Sequence, residues 1–175
     1  MIKSSRQKWS LLAIAAAISA LSCTAQAHEL RFLSNGYIIG VGSHVEPVIH
    51  GQPNGNDFYA AHETVIGDID SSVFLDVSAG DKIELITIPV KLKKEDFNSP
   101  IIHIFPALTA YTQTDIDGAP GLTSSFTFPS AGAYGYIVFG EIKKAGYPEL
   151  HFHEKFVCGA GSRDTVYGTS FDCAQ

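Results

Sequence analysis

Beyond residue 27, no stretch of ten or more residues repeats its apolar side chains at helical spacing. The chain instead breaks into short runs rich in Val, Ile, Thr, Phe and Tyr, separated by Gly, Pro, Asn and Asp. Such runs bury one face by alternation and turn at the breakers, which predicts an all-β domain. The expected strands are Leu30 to Leu33, Tyr37 to Val41, Val73 to Val77, Lys82 to Pro89, Ile101 to Phe105, Leu122 to Phe128, Gly135 to Gly140 and Leu150 to Val157. Ile101 to Phe105 is apolar on both faces and reads as a central strand. Two turn-rich stretches, 51–57 (GQPNGND) and 115–121 (DIDGAPG), are expected as surface loops. Residues 58–66 are ambiguous: Ala60, Ala61, His62 and Glu63 favour a helix, whereas Thr64 to Ile66 favour a strand.

The first 27 residues follow a different logic. Lys3, Arg6 and Lys8 precede an apolar run from Leu11 to Leu21, and the triplet Ala25-Gln26-Ala27 follows. That order predicts a signal peptide over residues 1–27, cleaved before His28. The apolar run is shorter than the roughly 20 residues of a spanning helix, so no membrane insertion is expected and the chain is placed in the periplasm or outside the cell. Cys23 offers a rival cleavage with lipid attachment, although Ala20 and Leu21 fit that pattern less well. The 148 residues from His28 to Gln175 suit one domain. They hold nine basic and all eighteen acidic side chains, a balance that disfavours nucleic acid and anionic lipid as partners.

Two cysteines remain beyond the signal, Cys158 and Cys173, and in an oxidising compartment they are expected to pair. The bond would stabilise the fold by about 3 kcal/mol. Residues 126–140 (FTFPSAGAYGYIVFG) resemble the tyrosine corner of immunoglobulin-like sandwiches, with Tyr134 bonding back to the turn. The expected fold class is therefore an all-β sandwich, immunoglobulin-like or cupredoxin-like.

All seven histidines follow the cleavage site: His28, His44, His50, His62, His103, His151 and His153. Imidazole is the commonest metal ligand. Cleavage before His28 would leave an amine and an imidazole on one residue, both able to hold one ion. His151 and His153 project from the strand face opposite Leu150, Phe152 and Phe156, with about 6.6 Å between successive same-face positions. His103 is either a core histidine or a ligand directed at the first strand. His44, His50 and His62, with Glu46, Asp57 and Glu63, outline a more diffuse second site. His62-Glu63 lacks the later histidine of a zinc-protease helix, since residue 66 is Ile. Asp115-Ile116-Asp117-Gly118 lacks the closing glutamate of a calcium loop and reads as a turn. With no methionine after residue 27 and both cysteines paired, copper(I) storage and blue-copper electron transfer are disfavoured. Copper(II) remains, with zinc as the competitor.

Residues 42–54 (GSHVEPVIHGQPN), together with Ala133 to Tyr136, Gly140 to Ile142 and Glu154 to Gly159, resemble small exported β-sandwich proteins that begin with histidine and have no settled activity. The leading histidine and the sandwich pattern are also similar to periplasmic copper-binding proteins of the CopC type. That resemblance implies copper(II) buffering or delivery, to a membrane copper transporter or a metalloenzyme. His28 would be the anchor, with His103, His151 or His153 completing the site. Lytic polysaccharide monooxygenases share a histidine brace on a β-sandwich, which keeps a copper oxidase as an alternative. Trp9 is the only tryptophan and leaves with the signal, so no Trp remains to stack on sugar. A metal-free immunoglobulin-like interaction module is the third expectation.

Overall fold

The computed structural model describes residues 28–63, 72–74, 82–116, 118–159 and 171–175. The signal segment expected over residues 1–27 lies outside them, as do residues 64–66 and 75–77 of two expected elements. Among the described residues there is no α-helix and ten strands form two antiparallel sheets. The strands are β1 His28–Phe32, β2 Tyr37–Ser43, β3 Gly55–Glu63, β4 Ser72–Phe74 and β5 Lys82–Leu92. They continue with β6 Ile101–Ile104, β7 Thr112–Ile116, β8 Ala119–Ser125, β9 Tyr134–Lys143 and β10 Leu150–Val157. One sheet runs β1-β2-β3-β8-β7, with β4 beside the end of β3, and the other runs β10-β9-β5-β6. The fold is the expected all-β sandwich.

Alternation builds the core. Tyr37, Ile39 and Val41 of β2, with Phe58 and Ala60 of β3, face Tyr136, Val138 and Ile142 of β9 and Leu150, Phe152 and Phe156 of β10. Phe58 and Phe152 stack between the sheets, their ring centres 5.9 Å apart. Burying each such ring contributes about 1.5–3 kcal/mol. On one side of the sandwich β1 closes against β10. Glu29 accepts the Val157 backbone N–H at 2.8 Å, and Arg31 donates to the Lys155 carbonyl at 3.0 Å. Glu29 and Arg31 also pair with each other, both buried, and Arg31 lies 4.9 Å over the Phe156 ring.

The end of the chain is built into the molecule. Cys158 and Cys173 are bonded, as expected, with a sequence separation of 15. Phe171 is buried against Tyr136, and Ala174 and Gln175 bond to Gly132 and Val48 through the backbone. The Tyr134 hydroxyl donates to the Ser130 carbonyl at 2.8 Å, which is the expected tyrosine corner.

Four expectations are corrected. Residues 58–63 are strand, because they pair with β2 and bury Phe58, Ala60 and Ala61. The loop at 51–57 ends at Asn54, and Asn56 and Asp57 are buried strand residues of β3. The loop at 115–121 is a tight hairpin between β7 and β8, with Gly118 at φ +85° and its N–H donated to Asp115 at 2.7 Å. Ile101 to Phe105 contributes an edge strand and not a central one: β6 pairs with β5 alone among the described residues, and all four of its residues are exposed.

Candidate metal centre

His28 opens β1 and stands in a row across the larger sheet: His28 pairs with Gly42, Gly42 with Asp57, and Asp57 with Thr123. The row lies on the face turned away from the core, since Val41 and Phe58, the neighbours of Gly42 and Asp57, point inward. The two side chains flank a position that has none. The imidazole and the carboxylate therefore approach each other over Gly42, with His28 Nε2 3.8 Å from Asp57 Oδ2. In the next row Tyr59 lies over Gly40, where a Cβ would meet its ring at 2.1 Å, and its ring edge meets His28 at 5.4 Å.

His44 approaches from the other side. It follows β2 directly, and the loop behind it is pinned by Asn54, which accepts from the Val45 N–H and donates to the Val45 carbonyl, both at 2.9 Å. The His44 N–H bonds to the Gly55 carbonyl at 3.1 Å. This leaves His44 Nδ1 2.9 Å from Asp57 Oδ1, with the imidazole 41% exposed. Asp57 thus sits between two imidazoles, one facing each oxygen.

Burial pushes the Asp57 carboxyl up, but the facing His28, Thr123 and His44 outweigh it and hold the pKa below its ordinary value. Asp57 is fully buried and His28 is 4% exposed. His28 Nε2 is a buried nitrogen with no hydrogen-bond partner. Buried polar atoms are nearly always partnered, so an orphan of this kind calls for a cause.

The other sequence candidates lie elsewhere. His151 and His153 are exposed on β10 of the second sheet, on the face opposite Leu150, Phe152 and Phe156, as alternation required. They do not turn toward each other: His153 stacks on Phe139 at 4.2 Å, and His151 Nε2 is 2.8 Å from Glu149. Glu141, Glu149 and His151 bring their ligand atoms within 4.8 Å of one another. Lys143 already occupies that cluster, paired with Glu141 and 3.2 Å from Glu149. The hydrogen bond from Lys143 holds the Glu141 carboxyl low. His103 stands on β6 opposite Lys91, its ring against Phe105, so it is not a core histidine. The diffuse second site separates as well. His50 bonds to Gln175, His62 lies between Tyr37 and Tyr147, and Glu46 accepts from the Asp172 N–H. Only His44 and Asp57 of that group come together, and they join His28.

Sequence reasoning found His28 and missed Asp57 as its neighbour. A signal was present in Gly40 and Gly42, two glycines on one face of a single strand, which mark close approach by neighbouring groups.

The chain is thus a two-sheet antiparallel sandwich with a histidine–aspartate–histidine cluster on the outer face of its larger sheet. No family model and no curated protein matches it. Among solved structures it is similar to a DUF4426 family protein from Pseudomonas aeruginosa, at 8% identity and a TM-score of 0.39, over 75% of this chain and 94% of that one.

Proposed function

We propose that this is an exported metal-binding protein that takes up a divalent ion, copper(II) ahead of zinc, at His28, with Asp57 and His44 completing the site. One observation carries the reading. A buried imidazole nitrogen without a partner, His28 Nε2, faces a buried carboxylate whose other oxygen already engages a second imidazole. Two imidazoles and a carboxylate suit copper(II) and zinc, and copper(II) binds such a set more tightly. Processing before His28 would add an amine nitrogen. Buffering the ion, or passing it to a membrane transporter or metalloenzyme, follows from a site whose second histidine remains open to solvent.

The test is calorimetric titration of copper(II) into the processed protein, with its first residue read by mass spectrometry. One ion per chain is expected. Asp57→Asn and His44→Ala should each weaken uptake by about tenfold or more. An alanine inserted before His28 should weaken it as well. His44 is partly exposed, so its variant tests the site even if Asp57→Asn disturbs the fold. Uptake that is indifferent to all three changes would sink the proposal.

A further inference from the structure

The two edges of the smaller sheet differ. At β10, Glu29 and Arg31 of β1 take up backbone groups of Val157 and Lys155. At β6, no described strand lies beyond it. Ile101, Ile102 and Ile104 are 40%, 58% and 63% exposed. Soluble proteins usually shield such an edge with charge. Here the run from Phe97 to Thr114 contains no Asp, Glu, Lys or Arg, in a chain with eighteen acidic side chains.

The sequence of this edge is nearly symmetric. Pro100-Ile101-Ile102-His103-Ile104-Phe105-Pro106 has isoleucines one step either side of His103, Ile101 and Phe105 at two steps, and prolines at three. The Phe105 N–H is donated to the Pro89 carbonyl at 3.0 Å, so the alternation of an antiparallel ladder turns the N–H and C=O of Ile104 away from β5. The register shifts between Lys91 and Leu92, and Ile102 is the extra residue, unpaired with β5.

We propose that β6 pairs antiparallel with β6 of a second copy of this chain, about a two-fold axis through His103. A two-fold contact requires a surface complementary to itself, and this palindrome supplies one. Centred on His103, it sets Ile102 of each copy opposite Ile104 of the other. The prolines, which lack an N–H, end the ladder at both limits. The uncharged edge spares two acidic molecules repulsion at their contact. A different exported protein offering an extended segment would require no such symmetry. A strand pair of this length buries less than the roughly 800 Å² per partner of a standard interface, so dissociation is expected on the order of 10 μM.

Sedimentation equilibrium of the intact protein, from about 1 μM to about 1 mM, measures this. The wild type should pass from monomer to dimer. His103→Glu and His103→Lys each place like charges directly opposite across the axis and should raise the dissociation constant at least about tenfold. An equimolar mixture of the two variants should associate again. His103 is exposed, so both variants are expected to keep the wild-type circular dichroism. A wild type that stays monomeric throughout, variants that associate as it does, or a mixture that stays apart would each overturn the proposal.

Discussion

Tyr111 illustrates how single residues set the pH range of this molecule. Its hydroxyl donates to Thr87 Oγ1 at 2.5 Å and reaches Asn56 at 3.4 Å, bridging the two sheets. Burial pushes its pKa up to about 12, against the opposing pull of the Thr87 hydrogen bond. Burial drives Tyr136 upward too. A phenol with a raised native pKa contributes stability that is complete below its unfolded value near 10 and is lost as pH rises toward the native value. Urea melts between about pH 8 and pH 11.5 should therefore show stability falling on the alkaline side. In Tyr111→Phe that fall should be smaller by on the order of 2 kcal/mol, measured against a neutral-pH cost of about 1 kcal/mol for the lost hydrogen bond. Some residues declare their roles locally. Tyr134 was legible because its partner, Ser130, lies four residues away in a recognisable corner. Asp57 was not, because its own neighbours spell a turn and its burial comes from pairing with β2, which no local window contains.

At the level of strands, β10 was readable over its whole length because Leu150, Phe152 and Phe156 alternate cleanly with exposed residues. β7 was not, since Thr112 to Ile116 is polar and its strand state depends on the hairpin with β8. β6 misled for the opposite reason: an apolar run on both faces normally marks a central position, and here it marks an uncovered edge. The docking of β1 was equally invisible, because Glu29 and Arg31 read as ordinary surface charges. They are 0% and 4% exposed. Glu29→Ala would leave Arg31 buried without its counter-charge and the Val157 N–H without its acceptor. A loss of about 3–5 kcal/mol is expected in equilibrium urea unfolding. A cost under about 1 kcal/mol would mean that β1 is not held to β10 in this way.

Over the whole molecule, the disulfide was legible from the cysteine count alone, whereas the path of the final residues was not. Phe171 enters the core, and Gln175 exchanges backbone bonds with Val48 and His50, contacts that join segments more than a hundred residues apart. Replacing Cys158 and Cys173 together by serine should lower stability by about 3 kcal/mol, and the melting temperature by about 10 °C in calorimetry. Reduction of the native protein should reproduce the same shift.

The clamp on β1 also bears on His28. With the very next side chain driven into the opposite sheet, the backbone at His28 has little room to yield. Its imidazole is mounted as on a bracket, and a guest seeking another bond angle would have to distort its own shell rather than that of its host.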